Sequence, residues 1–516
     1  MKDTLQHLIT ETLDSLGLEA GDFVIEHPTD LKMGDYSTNV AIKYGRGEEI
    51  VKALRQAQGD FIDEIKLAGP GFINFYLSKE FFKESLKKII EKGEDFGQGE
   101  HAKGFKVMVE HTDPNPFKEF HIGHLMPNVI GSTISRILEW KGAEVRQVNY
   151  QGDVGLHVAK AVWGIMHGEK DPYVAGNKAY EDHKEEIDEI NRKIYEKSDP
   201  EVNQIYKRGR KDSLEGFEKI YEKLGTKFDY YFFESETGEI GKKIVEENIG
   251  KVFEKSDGAI IFKGSHTRVF INSLGLPTYE AKELGNAKNK YEKYPYDLSI
   301  VITGNEIQDY FKVVLEAMNK VLPELAKKTK HLPHGMLRLP TGKMSSRTGD
   351  IITAEELIGD VKKKVKEDEL VAIGAIKYMI LRQTIGNDIV FDIEKSVSTE
   401  GDSGVYLQYA YARSNSLLEK ADQKIDINAP RRNTHEIERL LYRFPEVVER
   451  AGREYAPHYI TTYLTELAGS FNNFYALEQI IGDSPESPYR LAIVKAFNIV
   501  MKNGLTILGI PTPERI

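Results

Sequence analysis

The sequence predicts a multidomain α/β protein. A doubly wound parallel sheet is expected at its centre, with an α+β block before it, a charged helical insertion inside it and an all-α helical bundle after it. Three observations carry this. The 516 residues exceed what one hydrophobic core fills and call for about three domains. A strand–helix–strand run starts at Lys106, and from residue 404 onward the apolar periodicity is helical throughout.

In the first block, residues 1–100, Leu5, Leu8, Ile9, Leu13 and Leu16 recur at helical spacing. Phe72–Leu77 reads as a strand behind the turn Gly69-Pro70-Gly71, and the polar stretch Gly97–His101 reads as a linker. The second block, 101–403, opens with the strand Lys106–Glu110 and a loop holding Pro114 and Pro116. A helix from about Leu125 to Trp140 follows, with Met126, Ile130, Ile134, Ile137 and Leu138 on its apolar face and Gly142 to stop it. A strand Val145–Tyr150 completes a Rossmann-like unit, whose ligands belong beyond the carboxyl ends of the strands. Leu298–Ile302 reads as a further strand, leading into a helix faced by Phe311, Val314, Leu315 and Met318, and the charge-rich stretch 176–265 reads as the insertion. In the third block, 404–516, Tyr459, Ile460, Tyr463, Leu464, Leu467, Phe471 and Tyr475 form a stripe suited to a bundle core.

Composition narrows the function classes. Hydrophobic residues at 40% and charged residues at 29% are ordinary for a globular protein. Cys is 0, which excludes disulfides, thiolate zinc sites, iron–sulfur clusters and a cysteine nucleophile. The start Met1–His7 has no apolar signal core, and no run reaches the ~18 apolar residues a membrane span needs, so a cytoplasmic protein without a membrane partner is expected. The net charge of −11 argues mildly against a dedicated nucleic-acid binder. Residues 404–516, however, hold 13 Lys+Arg and 13 Asp+Glu, so the excess lies before them and the charge distribution permits RNA contact.

Two motifs carry chemistry. His121-Ile122-Gly123-His124 stands where the loop after the first strand meets a helix, so both imidazoles can face an anion at a helix N-terminus while Gly123 lets the ligand approach the backbone. Gly342-Lys343-Met344-Ser345-Ser346-Arg347-Thr348-Gly349 is a glycine-flanked loop of cations and hydroxyls able to cover a triphosphate.

Together the two motifs resemble the signatures of class I aminoacyl-tRNA synthetases. The text around them, Val109-Glu110-His111-Thr112-Asp113-Pro114-Asn115-Pro116-Phe117-Lys118-Glu119-Phe120, is similar to the arginyl-tRNA synthetase form. So are Gly34–Ala41, Ala68–Phe75, Tyr406–Arg413 and the ending Leu508–Arg515, and the resemblance covers essentially the whole chain. It implies that L-arginine attacks the α-phosphate of ATP, and that arginine then passes to the 3′-terminal adenosine of tRNA(Arg). It also implies Mg2+ accompanying ATP, a need for bound tRNA in the first step, and a monomer; no residue is expected as a dedicated metal ligand. Lys118, His121, His124 and Lys343 take the catalytic positions, and Gly123, Met344, Ser345 and Ser346 join the ATP site. Glu110, Asn115, Tyr279, Glu283 and Gln308 take the arginine site, where carboxylates suit a planar five-donor guanidinium.

The sequence departs from the family at several of these positions. Ser346 stands where the class has a second lysine, and Lys118, three residues before the first histidine, is the expected substitute. Glu283 replaces an aspartate, Ile307 stands where glutamine or histidine is frequent so that Gln308 is the nearest candidate, and Val154 replaces a tryptophan after Asp153, itself either structural or substrate-contacting. The N-terminal block and the C-terminal helices would bind tRNA. Arg431, Arg432, Arg439, Tyr442, Arg443, Arg450, Arg453 and Tyr455 supply interleaved cations and aromatics for that. Two other classes deserve weighing: a small nucleotidyltransferase with the same histidine motif would lack the flanking blocks, and a tRNA-binding relative without catalysis would not need His121, His124, Lys118 and Lys343 together. A cysteinyl relative is excluded by the zero cysteine count.

Overall fold

The computed structural model describes residues 1–340 and 352–516. Its centre is a five-stranded sheet in the order Thr329–His334, Leu298–Gly304, Lys106–Glu110, Glu144–Gln151, Tyr230–Phe233, with every pair parallel. Val107, Met108 and Val109 are each 0% exposed, because a strand covered on both faces needs an unbroken apolar run rather than alternation. Strand order reverses between Lys106–Glu110 and Leu298–Gly304, which opens a crevice beyond their carboxyl ends.

Two expectations change here. The helix after the first strand spans Ile122–Trp140, beginning before Leu125, since its N-cap is His121 itself. And the stretch 176–265 is not all added helix: Tyr230–Phe233 within it is the edge strand of the sheet, and Glu254–Ser256 and Ala259–Lys263 join Thr267–Ile271 in a separate antiparallel sheet. Four residues, Tyr-Tyr-Phe-Phe, are too few to show a period.

The N-terminal block is an antiparallel sheet, ordered Ile25–Glu26, Tyr36–Thr38, Phe72–Leu77, Ile62–Ala68, with the helices Lys2–Ser15 and Gly47–Ala57 sharing its core. From Gly404 the chain is helical (Gly404–Lys420, Glu436–Leu441, Phe444–Glu454, His458–Leu477, Ser487–Leu508). Ser487–Leu508 is long and apolar enough to cross a membrane, yet 83% of its most apolar window is buried, as befits a core helix. One continuous core joins the parallel sheet to this bundle.

Polar ties fix the histidine-bearing helix to both neighbours. Thr133 donates to the Leu508 carbonyl at 3.3 Å and Arg136 to the Gly225 carbonyl at 2.8 Å. Lys377, 2% exposed, donates to the carbonyls of Leu224 and Gly509 at 2.6 Å each. Two helix C-termini, which carry unsatisfied carbonyls, thus share one set of side-chain donors; burial, then the charge of Arg136, holds Lys377 well below the usual lysine range.

The N-terminal sheet meets the bundle through ion pairs. Arg439 donates to Asp35 at 2.7 Å and to the Leu31 carbonyl at 2.7 Å. His27 lies 3.1 Å from Glu446, which also accepts from the Tyr36 hydroxyl at 2.5 Å, and Arg431, paired with Glu438 of its own bundle at 2.9 Å, donates to the Lys79 carbonyl. Of the C-terminal cations expected to meet RNA, Arg431 and Arg439 are therefore spent in ion pairs and Arg443 is buried, whereas Arg432, Arg450 and Arg453 are exposed.

Candidate active site

The loop leaving the first strand is held in unusual backbone conformations. Thr112, Asp113 and Phe117 have φ of 83°, 44° and 68°, a region L side chains rarely adopt and a β-branched threonine least of all. The surroundings impose this shape. The fully buried His111 ring bonds Thr112 Oγ1 at 2.8 Å and Gln147 Oε1 at 3.1 Å, Asn128 donates to Thr112 Oγ1 at 3.1 Å, and Asp113 accepts from the Tyr150 amide at 2.7 Å. A Cβ at Gly131 would lie 2.2 Å from the His111 ring, so the helix needs glycine there. Burial pulls His111 down to about 3, leaving it neutral and structural.

Past the loop, His121 and His124 form a reciprocal capping box. His121 Nδ1 accepts from the Gly123 amide at 3.0 Å, His124 Nδ1 accepts from the His121 amide at 3.3 Å, and the rings stack with centroids 3.9 Å apart. A Cβ at residue 123 would lie 2.7 Å from the His121 ring, so Gly123 lets that ring fold back over the helix start. Burial, then the charge of Lys118, holds His121 down to about 4; burial and the neighbouring His121 hold His124 well below its usual range. Both imidazoles are therefore neutral near pH 7. Because each Nδ1 accepts, each proton sits on Nε2. Two Nε2–H donors at a helix N-terminus can bind an anion without adding charge. Lys118 supplies charge beside them: its Nζ lies 4.9 Å from the Tyr173 ring centre, and with His121 and Lys170 it lines one cleft.

Acidic groups gather at the end of the first strand. Glu110, 2% exposed, accepts from Lys290 Nζ at 2.7 Å and Asn286 Nδ2 at 3.0 Å. Burial and then the Glu110 charge push Glu283 up to about 8 and push Asp113 well above the usual carboxyl range. Beside them Glu234 and Lys282, both nearly inaccessible, pair at 2.6 Å. Asn115 accepts from the Gly152 amide at 3.1 Å, and a Cβ at residue 152 would lie 2.5 Å from that oxygen and 3.0 Å from Glu234. Glu110, Asn115 and Glu283 are thus brought to one crevice. Tyr279, 57% exposed, stands at its mouth with Lys282 Nζ 5.3 Å from its ring. Gln308 is exposed at the first turn of Gln308–Val321, and Tyr310 is the residue of that helix placed near Glu283.

Asp153 resolves to a structural tie. It is 0% exposed and accepts from Ser235 N at 2.9 Å, Ser235 Oγ at 2.7 Å, Tyr206 at 3.1 Å and Arg210 at 2.9 Å. Lys343, Met344, Ser345 and Ser346 lie outside the described residues. The chain just after them is pinned to the histidines: the Ile352 carbonyl accepts from the Ile122 amide at 3.1 Å, and the Ala354 amide donates to the Phe120 carbonyl at 2.9 Å. Sequence reasoning missed Lys290, Asn286, Glu234 and Tyr310. A signal existed for two of them, since Tyr279, Glu283, Asn286 and Lys290 fall on one face of the helix Tyr279–Lys293.

Three family models match: "Arginyl tRNA synthetase N terminal domain" over residues 3–77, "tRNA synthetases class I (R), catalytic domain" over 85–393 and "DALR anticodon binding domain" over 407–516. The arginine–tRNA ligase of Treponema pallidum subsp. pallidum is 29% identical, with 97% of this chain and 96% of that protein covered. Crystal structures of the arginyl-tRNA synthetases of Plasmodium falciparum (TM-score 0.81, 20% identical, covering 100% of this chain and 99% of that one) and Thermus thermophilus (TM-score 0.80, 23% identical, covering 100% of both) share the fold. With a class I catalytic model matched across more than half its length, the chain belongs to the arginyl-tRNA synthetase family.

Proposed function

We propose that this chain activates L-arginine with ATP and transfers it to the 3′-terminal adenosine of tRNA(Arg). The observation that carries the reading is the pairing of two neutral Nε2–H imidazoles at a helix N-terminus with a crevice of buried carboxylates. Activation asks for positioning and charge stabilisation more than for proton transfer. His121 and His124 donate to the phosphates as the α-phosphorus becomes five-coordinate, Gly123 leaves room for the nucleotide, Lys118 binds the triphosphate, and Lys343 with Ser345 and Ser346 clamps the departing pyrophosphate, Met344 joining the ATP site. Glu110 and Glu283 receive the guanidinium. Asn115 holds the amino-acid backbone groups, with Tyr279 at the mouth and Gln308 contributing if the helix start tightens on the substrate. Magnesium enters as part of the substrate, on ATP; among the described residues no group of three His, Asp or Glu could hold a metal ion by itself.

The proposed division of labour assigns residues 1–100 and 404–516 to tRNA and 101–403 to catalysis, in a monomer working in the cytoplasm with no membrane partner. The test is aminoacylation of total tRNA with each of the twenty amino acids. Charging with arginine alone is expected. Stable charging with another amino acid, or with none, overturns the reading.

A further inference from the structure

The helix Tyr279–Lys293 turns Glu283, Asn286 and Lys290 on one face toward the carboxyl end of the first strand. Lysine is almost never fully buried unless it is paired, and on this helix Lys288 keeps the usual exposure, with 44% of its side chain accessible. Lys290 keeps 3%. Its ammonium bridges the two strands between which the strand order reverses. Nζ donates to Glu110 Oε2 at 2.7 Å on one and to Ser299 Oγ at 3.3 Å on the other. Burial by itself pulls Lys290 down, but the Glu110 charge, followed by Tyr296 and Glu283, outweighs it and leaves the lysine raised. The crevice therefore has a resident cation in its floor.

That cation takes one side of the Glu110 carboxylate. Asn286 Nδ2 donates to the same oxygen, Oε2, at 3.0 Å. Glu110 Oε1 accepts from no group among the described residues and yet is not closed off, so it is the oxygen left to a ligand. A carboxylate with one oxygen taken and one open receives a single N–H. A guanidinium can use that, because its donors are spread over a plane and the others can turn to Glu283. An ammonium is a compact point charge. Here it would come to rest beside another ammonium, in a setting of low dielectric where like charges repel most.

We propose that Lys290 is a positioning residue that sets the choice of arginine over lysine: it holds Glu110 by Oε2, leaves Oε1 alone to the substrate and repels a substrate that ends in an ammonium. The inference rests on the arginine-charging reading above and adds what rejects the other cationic amino acid. The test measures, for the full chain with tRNA, the arginine KM in aminoacylation and the Ki of L-lysine as a competitor. Lys290→Met removes the ammonium at similar length. Lys290→Gln keeps a donor for Oε2 without the charge, and it decides the matter if the first variant does not fold. In each, the arginine KM is expected to rise about tenfold while lysine competes as well as before or better, so that the ratio of lysine Ki to arginine KM falls by about tenfold or more. A purely structural role would weaken both ligands together, and a ratio equal to that of the unaltered chain overturns the inference. An unaltered chain that charges no arginine overturns the reading beneath it as well, and that control tells the two failures apart.

Discussion

The crevice and the contact between N-terminal sheet and C-terminal bundle both bury charge, and they balance it differently. At the contact, Asp35 meets the Arg439 guanidinium at 2.7 Å and Glu446 meets the His27 ring at 3.1 Å and the Tyr36 hydroxyl at 2.5 Å, and just behind it Glu438 meets Arg431 at 2.9 Å. In the crevice, Glu110, Asp113, Glu234 and Glu283 gather around two ammonium groups, those of Lys282 and Lys290. Burial is expensive for an unpartnered ion. A balanced set is thus a structural joint, whereas an unbalanced one is a place awaiting a cation.

The largest effect should separate the two regions outright. Arg439→Ala leaves Asp35 buried and unpaired, and is expected to cost about 3–5 kcal/mol of stability with no change in the arginine KM. A variant that melts normally, or loses arginine affinity at constant stability, breaks the distinction. Next, His124→Ala removes one phosphate donor and should lower arginine-dependent, tRNA-stimulated ATP–pyrophosphate exchange by roughly 10²–10³-fold, or ~2.7–4 kcal/mol. Lys118→Ala should reduce the same exchange far more than it reduces tRNA binding; unchanged exchange would remove Lys118 from the triphosphate.

Glu283→Gln keeps the shape of the crevice and deletes a charge. Its arginine KM should rise roughly 10–100-fold, the ~1.5–3 kcal/mol of a charged hydrogen bond, with the ATP KM unmoved. The pH dependence follows from the same group. With Glu283 pushed up to about 8, the empty crevice holds a proton below that pH, and a guanidinium must expel it. The arginine KM should therefore fall as pH rises toward 8, by at most about tenfold per unit, and level off above it. Glu283→Gln should flatten that profile. At the small end, Arg450→Ala deletes an exposed pair with Glu454 and should leave the melting temperature unchanged, which marks the scale on which paired charge at the surface matters.

How much of this was legible in the sequence depended on distance along the chain. His121, Gly123 and His124 could be read because their roles are played out within one helical turn. The strand Lys106–Glu110 was legible from five residues of near-continuous apolar text, and the bundle from long stripes. Tyr230–Phe233 was not, since a short edge strand between helices has no pattern of its own. Charge pairing was illegible in principle: Asp35 and Arg439 stand 404 residues apart, and Glu110 and Lys290 stand 180 apart. That is why Arg439 reads as an RNA-facing cation while the fold spends it internally. Gln308 is exposed at the start of its helix, and Tyr310, two residues on, lies near Glu283, a placement decided by helix phase rather than by the local text.

The capping box made of two histidines has a consequence for anyone engineering this chain. Serine, threonine, aspartate and asparagine are the strong N-cap residues, and histidine is not among them. A redesign guided by stability alone would rewrite residue 121 to one of those four and would score the change as an improvement. The redesigned helix would start more firmly and present one Nε2–H fewer to its ligand. Thermal screening alone would select it, so a library built on this scaffold needs an activity counter-screen at residues 121 and 124.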